Sequence, residues 1–161
     1  MQNLLLLLFL LISRTCFSQS IENTDKKEVT NIVQQFFVAL EKQDTVIYKS
    51  LLFENAQIWV VGKRGDKLKT SVRTFKEDYT RFNPKRIVHE VPLYIDIKIH
   101  KDIAIAWVPY ELSVNGKFSH CGIDTFTFLK TTEGWKIVNC SYSVEPDGCT
   151  AIKNVYPNKN F

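Results

Sequence analysis

An α+β domain is the fold class this sequence predicts, and three observations predict it. Apolar residues recur at helical period near the N-terminus. The second half alternates apolar and polar residues at the period of a strand. Short turn signals separate the alternating runs. Helices grouped early and an antiparallel meander late describe a sheet with helices on one face. The 161 residues, 45% hydrophobic and 24% charged, fit one packed domain.

The first helix is predicted over Asp25–Gln43. Val29, Ile32, Val33, Phe36, Phe37 and Leu40 form one apolar stripe. Thr24 or Asp25 would cap it, and Asp25 with Glu28 has capping-box spacing. Asp44 reads as the N-cap of a second, short helix reaching about Phe53, with Ile47, Tyr48, Leu51 and Leu52 inward. A strand over Ala56–Val61 would end at the Gly62–Gly65 turn. Lys63, Arg64, Lys67 and Lys69 around that turn read as its solvated tip. Thr74 and Glu77 form another capping-box pair, opening a helix through Phe75, Tyr79 and Phe82 that Asn83-Pro84 closes.

Beyond Pro84 the pattern is β. Ile87–His100 alternates through Val91, Leu93, Ile95, Ile97 and Ile99. Lys101-Asp102 is the turn, and Ile103–Val114 returns. Asn115-Gly116 is a hairpin signal. Phe118–Ser143 then forms two alternating runs joined by Thr131-Thr132-Glu133-Gly134. The expected order is α–α–β–α–β–β–β–β.

Leu4–Ile12 is an apolar run of nine followed by Ser13, Thr15, Cys16 and Ser18. A bilayer span needs about 20 residues. The run therefore reads as a secretory signal peptide over residues 1–18, cut after Ser18 or Gln19, rather than a buried helix or retained anchor. Ser13-Arg14-Thr15 before Cys16 is a poor lipobox. The domain would occupy 22–145, with a C-terminal tail over 146–161. The expected location is secreted or periplasmic, with no transmembrane anchor after processing. Processing removes Arg14 and no acids, so the formal charge of +4 falls to +3. That charge is small and diffuse, which argues against nucleic acid as partner.

Export places the cysteines in an oxidising compartment. Cys121, Cys140 and Cys149 remain, an odd number, so one stays free or pairs between chains. The turn Pro146-Asp147-Gly148 can fold the chain back over the sheet, which favours a Cys121–Cys149 pair.

The element order resembles the nuclear transport factor 2-like superfamily, which includes ketosteroid isomerase, scytalone dehydratase and SnoaL-type polyketide cyclases. The resemblance covers about Asp25 to Val144. It is carried by the N-terminal amphipathic helix and by Gln57-Ile58-Trp59-Val60 entering the first strand. Its strongest element is Gly122, Asp124, Phe126, Phe128 and Lys130 at alternate positions, leading into Glu133-Gly134-Trp135-Lys136-Ile137. That ending looks like small exported, lumazine-binding-like members. The resemblance implies a cone-shaped α+β barrel, a curved, mostly antiparallel sheet wrapped on the N-terminal helices. Its concave side would be a ready pocket. It also implies cofactor-free isomerisation, dehydration or cyclisation in some members, and binding or dimerisation alone in others.

Pairing Lys130 with Trp135 puts Phe126, Phe128, Trp135 and Ile137 on one face with His120, Asp124, Asn139 and Ser141. The opposite face carries Cys121, Ile123, Thr125, Leu129, Val138, Cys140 and Tyr142. A one-residue slip would exchange the faces of one strand. The first face, with the larger aromatics, is assigned to the cone interior. His120 is the candidate general acid or base, and Asp124 its partner. At a rise of about 3.3 Å per residue the two stand roughly 13 Å apart, so they cannot form a hydrogen-bonded dyad. Asn139 could orient a ligand carbonyl. Tyr48, Trp59 and Tyr110 could reach the pocket from other elements, beside Phe126, Phe128 and Trp135. His100 reads as exposed, and His89 as a weaker pocket candidate. No metal-ligand cluster, Ser-His-Asp set or phosphate-binding Gly loop is present, and no cofactor is expected.

The leading expectation is an exported domain binding a small hydrophobic or aromatic ligand. A cofactor-independent lyase or isomerase using His120 is one alternative. A structural homodimer through the outer sheet face is another, and a homodimer is expected in either case.

Overall fold

A computed structural model describes residues 23–156. The signal peptide expected over residues 1–18 lies outside the described residues. Helix α1 (residues 23–42) and α2 (Thr45–Ser50) come first. They are followed by β1 (Leu52–Arg64), β2 (Lys67–Thr74), α3 (Phe75–Tyr79), β3 (Val88–Pro92) and β4 (Asp96–His100). Then come β5 (Ile103–Val114), β6 (Lys117–Thr131), β7 (Gly134–Val144) and α4 (Thr150–Val155). One mixed seven-stranded sheet has the order β2-β1-β7-β6-β5-β3, with β4 also paired to β5. Every pair is antiparallel except β1–β7. Among the described residues no helix is long and apolar enough to cross a membrane.

The α1 stripe packs against the concave face of the sheet. Val29, Val33, Phe36 and Phe37 join Ile58, Ala104, Ala106, Val108, Phe126, Phe128, Trp135 and Ile137 in one buried core. Ala104 and Ala106 are small where α1 crosses, which leaves room for its aromatic side chains. Phe36 meets Phe126 edge-on with centroids 5.0 Å apart.

Asp25 does not cap α1. It lies inside the helix, where its carboxylate accepts Lys130 Nζ at 2.6 Å and the indole N–H of Trp135 at 3.1 Å. Burial pushes Asp25 up, but those two hydrogen bonds and the Lys130 charge outweigh it, and its pKa lies below the ordinary value. The capping spacing therefore marked a clamp between α1 and the β6–β7 hairpin. The Thr74–Glu77 capping box forms at the start of α3.

Several elements differ from the sequence reading: α3 stops at Tyr79, short of Phe82, and α4 forms where a tail was expected. The second helix stops at Ser50, and Leu52 and Phe53 begin β1. β1 runs through Gly62 to Arg64, so the turn falls at Gly65-Asp66. β2 was not anticipated: it is a sheet edge with mostly exposed polar residues, so it lacks a buried face to betray it. The run Ile87–His100 is two strands. Pro92 brings no N–H to the ladder, and the chain leaves it over Leu93–Ile95 before β4 begins.

That break inverts the alternation. Ile97 and Ile99 of β4 oppose Ala106 and Ala104, so odd positions face inward there. In β3, Glu90 opposes Leu112 and Pro92 opposes Tyr110, so even positions face inward. A second inversion occurs in β7. Thr127 pairs with Asn139 and Phe128 with Ile137, leaving Val138 as a bulged extra residue. Lys130 does oppose Trp135.

Candidate functional site

The concave side of the sheet encloses a cavity of about 170 Å³ beyond the aromatic core. Its closed wall is built by β3, β5, β6 and β7, through Glu90, Tyr110, His120, Asp124, Cys140 and Tyr142. Phe36, Tyr48 and Phe75 form the helical side. Arg73, Asp78 and Arg86 line both this cavity and an adjoining concavity of about 480 Å³.

Register explains how these side chains meet. Leu112 opposes both Glu90 and His120, so one row crosses β3, β5 and β6. Tyr110 opposes Gly122 in the next row, and Val108 opposes Asp124 in the row after. Gly122 is the gap between His120 and Asp124. A Cβ there would stand 2.0 Å from Ser143 O and 2.8 Å from Tyr110 Oη. Its absence lets the Tyr110 hydroxyl through to donate to Ser143 O at 2.6 Å.

Glu90 and Asp124 bring their carboxyl groups together on this wall. Asp124 is 3% exposed, and its Oδ2 has no hydrogen-bond partner among the described residues. The Cys140 thiol donates to its Oδ1 at 4.0 Å. Burial, reinforced by the charge of Glu90 and a hydrogen bond to it, holds Asp124 well above the ordinary carboxylate range. Burial likewise pushes Glu90 up to about 7. Two neighbouring carboxyls so far removed from water cannot both ionise cheaply, which favours keeping a proton on the pair.

Several of the surrounding polar groups already have partners. Arg73 Nε donates to Asp78 at 2.8 Å and its terminal nitrogen to Tyr142 Oη at 3.2 Å. Tyr48 donates to Asp78 at 3.3 Å. Burial raises the Tyr48, Tyr110 and Tyr142 phenols and the Cys140 thiol, so all four stay protonated near neutrality. His120 is half-buried, with its ring edge-on to Tyr110 at 5.8 Å and Nδ1 2.9 Å from Ser119 Oγ. Burial lowers its pKa, which favours the neutral imidazole at physiological pH.

A family model described as "Putative lumazine-binding" matches residues 24–143. The chain belongs to that family. The fold of this chain is similar to that of solved nuclear transport factor 2-like proteins. One such superfamily protein, from Salmonella enterica serovar Typhimurium, is 19% identical at TM-score 0.61, with 80% of this chain and 97% of that chain covered. A "putative dehydratase" of the same fold from Streptomyces avermitilis is 16% identical at TM-score 0.61, covering 76% of this chain and 97% of that one. A "putative ketosteroid isomerase" from Shewanella frigidimarina is 24% identical at TM-score 0.51, covering 70% and 92%. At these identities the likeness is one of fold. No curated protein matches the sequence.

In this member of the lumazine-binding family, the anticipated site residues divide. His120, Asp124, Tyr48 and Tyr110 line the cavity. Phe126, Phe128 and Trp135 do not line it. They are sealed in the core, where Phe36 and Phe37 of α1 fill that half of the cone. Asn139 and Ser141 are on the outer face, because the Val138 bulge inverts β7 and brings Cys140 and Tyr142 inward. Trp59 is on the outer face too and 46% exposed, since Ala56 and Ile58 are the buried residues of β1. His89 is exposed and its Nδ1 lies 2.9 Å from Glu41.

Glu90 lines the cavity and was missed by the sequence reading, as were Cys140 and Tyr142. Alternation through Val91, Leu93 and Ile95 put Glu90 outside, and only Pro92 hinted at the inversion. Cys121 and Cys149 are bonded as a disulfide, Cα–Cα 5.6 Å, on the far side of β6 from the cavity. They pack with Leu93 and Ile152, which ties α4 to the sheet. Cys140 is free and buried.

Proposed function

We propose that this chain is a small-molecule-binding domain whose ligand sits in the concave cavity, with its polar part against Glu90 and Asp124. The observation that carries this reading is the carboxyl pair. Such a pair weakens a fold unless a ligand uses it, and it faces a cavity walled by Phe36, Tyr48, Phe75 and Tyr110. The family description supports a small ligand. The volume of about 170 Å³ lies below the usual range of about 300–1,000 Å³ for drug-sized sites, so the ligand's enclosed part is small.

Native mass spectrometry of protein purified from its own host tests this. A retained small molecule is expected on the wild type and not on Leu112→Trp, which fills the cavity. A bare wild-type mass, with no response to a ligand library by NMR, would sink the reading. Export through the segment 1–18 belongs to the same proposal. N-terminal sequencing of the mature protein should then begin at Gln19 or Ser20.

A cofactor-independent lyase or isomerase is the second reading. It is favoured by one titrating carboxyl, one protonated carboxyl and the His120 imidazole lining one cavity. Turnover of β-hydroxy- or β,γ-unsaturated carbonyl compounds, abolished by Asp124→Asn, would support it. Full retention of such turnover in Asp124→Asn would exclude this site as its source.

A further inference from the structure

Guanidinium groups line the mouth of the cavity. The outer concavity of about 480 Å³ shares Leu40, Arg73, Asp78, Arg86 and Val88 with the inner cavity. Arg73, Arg81 and Arg86 line this concavity against two carboxylates, Glu77 and Asp78. Both acids are already engaged. Asp78 accepts from Arg73 and Tyr48, and Glu77 accepts from the backbone N–H and hydroxyl of Thr74. Those Thr74 hydrogen bonds, helped by the Arg81 charge, hold Glu77 below its ordinary value. Arg73 uses only two of the five N–H groups of a guanidinium, on Asp78 and Tyr142. Among the described residues Arg86 forms no ion pair or side-chain hydrogen bond. With Arg73 balanced by Asp78 and Arg81 by Glu77, Arg86 is the unbalanced charge. Its backbone is pinned from behind. Gln43 Nε2 donates to Asn83 O and Arg86 O, both at 2.8 Å, which ties the loop before β3 to the end of α1.

We infer that Arg86 is the anion contact of the site, and that the ligand is a small ring compound carrying one carboxylate. The acid stays at the mouth, on Arg86 and the spare N–H groups of Arg73, in charge-assisted hydrogen bonds. The ring points inward, and an uncharged polar group such as a hydroxyl meets Glu90 and Asp124. This deepens the binding reading above and rests on it. The carboxyl pair at the closed end repels an acid, which fixes the direction of the ligand. One excess positive charge suits a single carboxylate better than a doubly charged phosphate, which would also face Glu77 and Asp78.

Titration calorimetry with three phenols tests the assignment: 3-(4-hydroxyphenyl)propionate, 3-(4-hydroxyphenyl)propanol and tyramine. The propionate should bind about tenfold or more tightly than the alcohol, and tyramine more weakly than either. Arg86→Gln should bring the propionate to within about threefold of the alcohol. It should melt as the wild type does, because Arg86 is exposed. Equal binding of propionate and alcohol, or tighter binding of tyramine, would overturn the acid and leave the binding reading standing. A preference for the propionate that survives in Arg86→Gln would overturn the role of Arg86. Phenyl phosphate binding more tightly than the propionate would overturn the single charge. If none of the probes binds, this inference falls, while the binding reading is decided separately by the molecule retained in native mass spectrometry.

Discussion

Glu90 and Asp124 show how a few side chains can be placed at the expense of stability. For Glu90 the folded pKa, about 7, is above the ordinary value of 4.5. The folded state therefore holds a proton that the unfolded state has released across that interval. Stability is highest below about pH 4.5 for this group and falls as pH rises toward 7. Glu90→Gln removes the ionisable group. It should raise stability at pH 8 by up to about 3 kcal/mol and change it little at pH 4, read from urea melts at both pH values. Asp25 acts in the opposite sense. Its lowered pKa contributes stability that is lost in acid, and Asp25→Ala should cost about 1–3 kcal/mol at pH 7 by leaving the Trp135 N–H buried and unpaired. Gly122 is a third case. Gly122→Ala should destabilise by about 3 kcal/mol or more, because the new Cβ meets backbone rather than a movable side chain. Asp124 and His120 were legible from their alternation along β6. Glu90 was not, because nothing local to it announces which way β3 faces.

At the scale of elements, the hairpins were readable and the interruptions were not. Asn115-Gly116, with φ of 51° and 74°, forms the β5–β6 turn its sequence implies, and in the β6–β7 hairpin Lys130 opposes Trp135 as expected. The Val138 bulge and the Leu93–Ile95 break each reverse an alternation, and each is decided by tertiary packing rather than by residue type. Both reversals shape the cavity: one turns Glu90 inward, the other Cys140 and Tyr142. The last helix, α4, is attached to the sheet by the Cys121–Cys149 bond, the small cluster around Ile152 and the Lys153–Glu111 ion pair. Replacing both cysteines by serine opens a 28-residue separation and should cost about 3–4 kcal/mol. Hydrogen exchange should then show early loss of protection at Lys153 and Tyr156 while β5–β7 stay protected. Unchanged protection in α4 would mean that the apolar cluster, the Lys153–Glu111 ion pair and the Tyr94–Tyr156 stack hold it without the bond.

For the whole molecule, the two sides of the sheet serve different ends. The concave side is core and cavity. The outer side carries the row Val72, Trp59, Ser141, Thr125 and Trp107 across five strands. Trp59 and Trp107 are 46% and 43% exposed, and Ile103, Ile105 and Leu129 lie open nearby. A contiguous apolar face of this kind marks an interface. The homodimer expected from sequence is proposed to form there, although Trp59 and Trp107 replace the Val138 and Tyr142 that the uncorrected alternation suggested. On that proposal the wild type should run as a dimer by light scattering and the Trp59→Lys/Trp107→Lys variant as a monomer; a monomeric wild type would contradict it. The cone itself was legible, since helix stripe, meander and hairpin survive local errors of one residue. The site was only half legible, since one such error moves a side chain from cavity to solvent. Carbon-13 NMR titration of the Glu90 and Asp124 carboxyls tests the proton-sharing pair most directly. One proton should leave the pair near pH 7, with Asp124 still protonated. Two carboxyls that both ionise below pH 5 would contradict the account.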